Sequence, residues 1–241
     1  MIKLKSNIVL TQLNDPMQEQ INITDCYNKT AKNYADKFID ELEKKHLDRI
    51  LLKSFATENF NNGKLIDLGC GPGHTTKYLS DCGSTDLIGV DISPSMVAVA
   101  RNITPQLFFE TADILNLKYP DKSFGSAIAF YSIVHFDYER IKTAFKEIKR
   151  VLKNDGQFLL SFYIGDKVAH YDNFLDHDVN IDFYFFETNK IIALLTETGF
   201  GVVDIIERQP YQDAEYSSRR AYIWTKATSA NIRFAARLAD E

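Results

Sequence analysis

The sequence predicts an α/β fold: a seven-stranded, mostly parallel sheet with one antiparallel strand and helices on both faces. Two observations carry this. Short apolar runs alternate with helix-competent segments from residue 64 onward, the rhythm of parallel crossover units. The first run, Leu65-Ile-Asp-Leu68, breaks directly into Gly69-Cys-Gly-Pro-Gly73, and helix-competent sequence follows from His74 through Leu79. Length and composition agree, because 241 residues suffice for one α/β domain with a sizeable core. A content of 45% hydrophobic and 25% charged residues is ordinary for a globular protein.

The elements are expected in the following order. Residues 1–23 lack firm periodicity and read as an N-terminal arm. From Thr24, apolar positions Tyr27, Ala31, Tyr34, Phe38 and Leu42 recur every three or four residues, the mark of an amphipathic helix. Ile50, Leu51 and Phe55 suggest a second helix or a continuation, ending near Asn61-Asn62-Gly63, so that 24–63 form a helical unit. Core strands are expected at 64–68, 86–90, 107–110, 126–130 and 157–163. Ser93-Pro94 is a helix start with serine at the N-cap and proline at the first helical position. Tyr138–Leu152 is amphipathic and stops at the turn Asn154-Asp155-Gly156. Thr188–Glu197 reads as the last core helix. Residues 202–207 and 220–225 read as a terminal strand pair that supplies the antiparallel strand. Residues 164–187 are too long for a plain connection and crowded with aromatics, which suggests a lid. Residues 227–241 read as a short terminal helix with no visible chemistry.

Charge and composition narrow the partners. A net charge of −5 lacks the basic footprint of nucleic-acid or anionic-membrane binding. No apolar run reaches the length of a membrane span. The start, MIKLKSNIVLTQLNDP, has neither a proper apolar segment nor a small-residue cleavage site, so a cytoplasmic location is expected. Cys26, Cys70 and Cys82 form neither a disulfide framework nor a zinc pattern, in keeping with reduced thiols.

The glycine turn carries the first chemistry. Glycines at a strand-to-helix turn permit positive φ and let a ligand approach bare backbone. The dinucleotide pattern G-x-G-x-x-G would need its third glycine at position 74, which is His74, and no Gly-Lys-Ser/Thr of a P-loop follows. Asp67, two residues before Gly69, would repel a pyrophosphate but suits a ligand bearing ammonium and sulfonium charges. S-adenosylmethionine is such a ligand.

Here the chain resembles the class I S-adenosylmethionine-dependent methyltransferases of Rossmann-like fold. The resemblance rests on IDLGCGPG at 66–73, GVDIS at 89–93, TADILNL at 111–117, AFYSIVHF at 129–136 and RVLKNDGQFLLSFY at 150–163, in that order. It implies S-adenosylmethionine as cofactor. Asp67, Gly69 and Gly71 would line its methionine end, Cys70 fills a small slot in the turn, and Gly73 serves mainly helix–strand closeness. Asp91, 22 residues after Gly69, would accept from the ribose diol. Asp113 would accept from the adenine amino group, with the backbone N–H of Ile114 at a ring nitrogen. Ile92 and Met96 would sandwich the adenine, although core packing explains Met96 equally well. The motif YNKTAKNYADKF resembles the family's cofactor-covering helix, which brings Tyr34 to the methionine end or, alternatively, makes it part of a core stripe.

Phe130, at the end of the fourth strand, belongs with these cofactor-facing residues, and the segment after it faces the methyl. Neither Asp/Asn-Pro-Pro-aromatic nor Pro-Cys stands there, which argues against nucleic-acid bases as acceptors. His135 is the candidate general base and Tyr131 a candidate for aiming the acceptor. The alternative for His135 is structural, capping the next helix or packing under the lid. His170, Asp172, Asp176, His177 and Asp178 lack tight ligand spacing, so no metal site is expected. A small, partly apolar acceptor suits the aromatic segment, and the chain is expected as a monomer or homodimer. Two other readings stay open: a non-catalytic S-adenosylmethionine-binding protein or partner-activating subunit, and a nicotinamide oxidoreductase.

Overall fold

The computed structural model describes residues 16–212 and 214–228. Its first helix, α1 (Pro16–Phe38), is followed by a 3-10 turn (Glu41–Lys44) and α2 (His46–Glu58). Then come β1 (Leu65–Leu68), α3 (His74–Asp81), β2 (Leu87–Asp91), α4 (Pro94–Ile103), β3 (Phe108–Thr111), β4 (Phe124–Phe130) and α5 (Tyr138–Val151). The chain continues through β5 (Leu152–Tyr163), β6 (Val168–Phe174), β7 (His177–Tyr184), α6 (Thr188–Glu197), β8 (Phe200–Arg208) and β9 (Arg220–Ala227).

Seven strands form one sheet in the order β3-β2-β1-β4-β5-β9-β8. β9 runs antiparallel to both its neighbours, and the other pairings are parallel. β1 and β2 are buried along their whole length, as strands covered by helices on both faces must be. One face of the sheet packs Phe145, Ile148 and Phe158 into the larger core; the other packs Leu52, Phe55, Leu79 and Leu159. Ser93 accepts from Met96 N–H (3.1 Å) to cap α4, and Asp137 accepts from Arg140 N–H (2.8 Å) to cap α5. This is the Rossmann-like, doubly wound sheet the sequence implied. Its order reverses at β1, which opens a crevice between β1 and β4 at their carboxyl ends.

Four local expectations change. α1 begins at Pro16, so eight residues of the expected arm are helical; polar residues such as Gln18 and Gln20 dilute the apolar period there. β5 begins at Leu152, directly after α5, and reaches its regular ladder only past Asp155, whose φ is 62°. The segment 164–187 holds a two-stranded hairpin, β6 paired with β7, outside the main sheet. Of the expected terminal helix, Ala227 ends β9 and residues 229–241 lie outside the described residues.

Candidate cofactor and acceptor site

A cavity of about 590 Å³ lies over the carboxyl ends of β1, β2, β4 and β5. Every residue proposed from the sequence to bind cofactor or to act on the acceptor lines it except Gly73. A Cβ at Gly73 would meet the Phe109 ring at 2.8 Å and Ala100 at 3.1 Å, so this glycine serves helix–strand closeness.

The turn after β1 is bare for two different reasons. At Gly69 (φ 71°) a Cβ would stand 2.3 Å from the Ser132 Cβ, so the loop after β4 leans directly on it. At Gly71 (φ 54°) the nearest atom to a Cβ would be a Tyr34 ring carbon at 4.0 Å, which leaves the cavity side open. Cys70 is buried against Val97, Ala100 and Phe109, and burial pushes its thiol far above the ordinary range, so it stays protonated.

Two buried carboxylates face this turn. Asp91 Oδ2 accepts from Gly71 N–H (2.9 Å) and Oδ1 from Ser93 N–H (2.8 Å). Each oxygen keeps a lone pair for a ligand. Burial raises the Asp91 carboxyl to about 6 against the pull of those two N–H groups. Asp67 Oδ2 accepts from Thr76 Oγ1–H (2.6 Å), and burial again lifts its pKa to about 6. Neither carboxylate is in a salt bridge with any described lysine or arginine. The cavity therefore concentrates uncompensated negative charge here.

Further along, Asp113 Oδ1 accepts from Leu115 N–H (2.9 Å) and Oδ2 from the Gln20 amide (2.5 Å), so α1 reaches the third strand's loop. Ile92, Met96 and Ile114 form the apolar wall between Asp91 and Asp113, with Met96 almost fully buried. Tyr34 packs edge-on to Tyr27 and tilts against Phe38.

Beyond β4 the walls change character. Phe130 ends the strand, and Tyr131 adopts φ 55°, left-handed backbone that a bulky residue rarely takes. Its N–H donates to Ser161 O (3.1 Å), and its ring stacks on Tyr163 at 5.3 Å. His135 is buried in the next turn. Its Nδ1–H donates to the Asp182 carbonyl of β7 (2.8 Å), which leaves Nε2 to accept from Tyr27 O–H of α1 (2.7 Å). Burial lowers its pKa to about 4, so the ring is neutral. This histidine ties α1, the β4 turn and the hairpin together. Tyr171, Phe174 and Phe183 of that hairpin line the cavity beside it.

A buried polar network that the sequence did not reveal completes the floor. Tyr131 O–H pairs with Tyr222 O–H (2.9 Å), and Tyr222 O–H donates to Asp48 (2.6 Å). Arg208 donates to Asp48 (3.0 Å) and to both oxygens of Glu215 (2.7 Å each). Glu41 accepts from Lys45 (2.8 Å) and lies 3.2 Å from His74 Nε2. Burial would raise Glu41, but His74 and Lys45 outweigh it and hold its pKa at about 2. Asp48 and Arg208 are 160 residues apart in the chain, so no local pattern announces their pairing. This end of the cavity is accordingly aromatic on one wall and charged on the other, and the charged wall was not among the sequence expectations.

Comparison with known proteins agrees with this geometry. Residues 65–156 match a family model described as a methyltransferase domain. An uncharacterised protein of Methanocaldococcus jannaschii is 32% identical over 60% of this chain and 53% of its own length. The uncharacterised methyltransferase YcgJ of Bacillus subtilis is 32% identical over 47% of this chain and 46% of its own. The chain thus spans about half the length of these curated relatives. Among solved structures, the Burkholderia thailandensis 1,6-didemethyltoxoflavin-N1-methyltransferase superposes with a TM-score of 0.69 at 18% identity, over 91% of this chain and 93% of that one. At that identity the likeness establishes the fold alone. Residues 65–156, which hold the glycine turn and its buried carboxylates, thus match a methyltransferase domain, and the chain around them has the fold of the solved methyltransferase.

Proposed function

We propose that this protein transfers the methyl group of S-adenosylmethionine to a small-molecule acceptor by in-line displacement. The carrying observation is the pair Asp67 and Asp91, buried, raised in pKa and without a lysine or arginine partner among the described residues, beside an open glycine turn. Such a site favours a cationic ligand with hydroxyls to donate, and disfavours a pyrophosphate. In this reading Asp91 takes the ribose diol on its remaining lone pairs. Asp67, Gly69, Gly71 and Tyr34 hold the methionine end; Asp113 and the Ile114 N–H take the adenine edge, between Ile92 and Met96. Bound there, S-adenosylmethionine supplies an activated methyl on a positive sulfur.

Such a leaving group needs little acid–base help, so alignment and desolvation of the acceptor supply most of the rate. That suits what the residues offer. A His135 pKa near 4 makes a weak base, and both ring nitrogens already have partners. His135 is therefore proposed as a positioning residue that holds α1 and the hairpin closed over the acceptor. Tyr131, strained and stacked on Tyr163, aims the acceptor's flat face towards the methyl. A cavity of this size suits a small molecule rather than a duplex, and the toxoflavin enzyme of the same fold is named for a small heterocycle.

Incubating the protein with S-adenosylmethionine and a metabolite library, then following S-adenosylhomocysteine and acceptor mass together, tests the reading. Coupled appearance of both products is expected. Tight S-adenosylhomocysteine binding without turnover on any compound would point to a non-catalytic binding protein. Tight NAD binding without S-adenosylhomocysteine binding would overturn the cofactor assignment.

A further inference from the structure

Arg220 opens β9 directly opposite Tyr163 of β5, at the far side of the cavity from the carboxylates. From β1 to β9 there are three strand spacings, roughly 14 Å. The residue is only 2% exposed, yet its guanidinium is under-used. Nη1 donates to the Tyr216 carbonyl (2.7 Å) and to the Ser218 carbonyl. Nε is buried without a hydrogen bond, 3.4 Å from Glu215 Oε2, and Nη2 has no hydrogen-bond partner among the described residues.

Its natural counter-ion is already committed. Glu215 receives both arms of Arg208, and Oε2 also accepts from Tyr211 N–H (2.8 Å). Lys45, also on this wall, is held by Glu41, and Lys167 lies over the outer Phe185 and Tyr216 rings. A buried guanidinium with a free donor edge is costly unless something anionic meets it. Around it stand flat faces: the Tyr163 ring lies 5.2 Å beneath the guanidinium, and Phe185 and Tyr216 close the same corner with ring centroids 5.9 Å apart.

We propose that the methyl acceptor is an aromatic or conjugated carboxylate whose anionic head docks on Arg220, with its flat body along the cavity wall formed by Tyr163, Phe185 and Tyr216. The inference rests on the methyl-transfer reading above and names its substrate class. The carboxylate takes the free Nη2 donors, a charge-assisted contact in a largely buried corner. This end-on grip leaves the opposite end of the molecule directed towards Tyr131 and the β4 loop, where the methyl arrives.

The test uses the full-length protein saturated with S-adenosylhomocysteine and titrated calorimetrically with benzoate, cinnamate and 4-hydroxycinnamate. The matching amides serve as uncharged controls. The carboxylates should bind roughly 10- to 100-fold more tightly than the amides. Arg220→Gln should erase that preference and leave S-adenosylhomocysteine affinity unchanged. Arg220→Lys, which keeps the charge and spares the fold if the glutamine variant is unstable, should retain part of it. Absence of any carboxylate preference in the loaded protein would overturn the proposal. So would an Arg220→Gln variant that loses S-adenosylhomocysteine instead, because the arginine would then hold the cofactor's own carboxylate. Failure of S-adenosylhomocysteine to bind the unaltered protein would instead strike the cofactor reading.

Discussion

Asp91→Ala separates cofactor recognition from fold maintenance more sharply than any other single change. In the folded protein its two oxygens already accept from Gly71 and Ser93 N–H, so the variant loses both that brace and the proposed ribose contacts. For the cofactor-free protein the effects oppose each other. A carboxyl lifted from 3.8 to about 6 destabilises the fold above pH 6, by about 3 kcal/mol, and ceases to do so below about pH 3.8. Alanine removes that cost but orphans two backbone donors at about 1–3 kcal/mol each. The net change of at most about 3 kcal/mol should therefore move the melting temperature of the free protein by no more than about 12 °C. Binding has no such compensation. Two hydroxyls losing a charged acceptor cost about 2–4 kcal/mol, or roughly 30- to 700-fold in Kd. Calorimetry with S-adenosylhomocysteine, paired with melting curves of the free protein, reads both. A Kd within about threefold of the parent together with a collapse in melting temperature would refute the reasoning and make Asp91 a structural brace.

Cofactor affinity should fall as pH drops through about 6, where Asp67 and Asp91 take up protons and lose their attraction for a cationic ligand; a Kd series across that range, flat in the unaltered protein, would contradict it. Gly69→Ala should fail to fold or lose several kcal/mol, since its Cβ would collide with Ser132. Gly71→Ala should keep most of its stability, at about 1–2 kcal/mol of left-handed strain, yet lose cofactor binding because its Cβ enters the cavity. Equal melting temperatures for the two variants would sink that contrast. His135→Ala should loosen the hairpin, read as faster amide exchange in β6 and β7, and turnover should show no inflection from His135 between pH 6 and 8, because its pKa lies near 4. An inflection there that vanished in the variant would restore it as a general base.

The sheet and the glycine turn were legible in the sequence because both are written locally. Strand period, the Ser93-Pro94 start and the glycine turn are each set within a few residues, and local sterics enforce them. Asp67 and Asp91 follow from the same logic, since the residue ending a parallel strand stands at the crevice. The missed turns of α1 and the hairpin inside 164–187 depend on packing rather than propensity. β7 packs along α1, and His135 bonds both.

The sequence by itself determined that this is a doubly wound α/β chain with a nucleotide-type turn suited to a cationic ligand. Only the tertiary structure decided what lies across the cavity. Tyr131, Tyr222, Asp48, Arg208, Glu215 and Arg220 come from five separate elements and loops and meet only when β9 inserts between β5 and β8. Which guanidinium finds a carboxylate and which is left with a free edge depends on distances between segments up to 174 residues apart. Coulomb and hydrogen-bond energies act over a few ångströms of space, whatever the separation along the chain, so no window of sequence contains them.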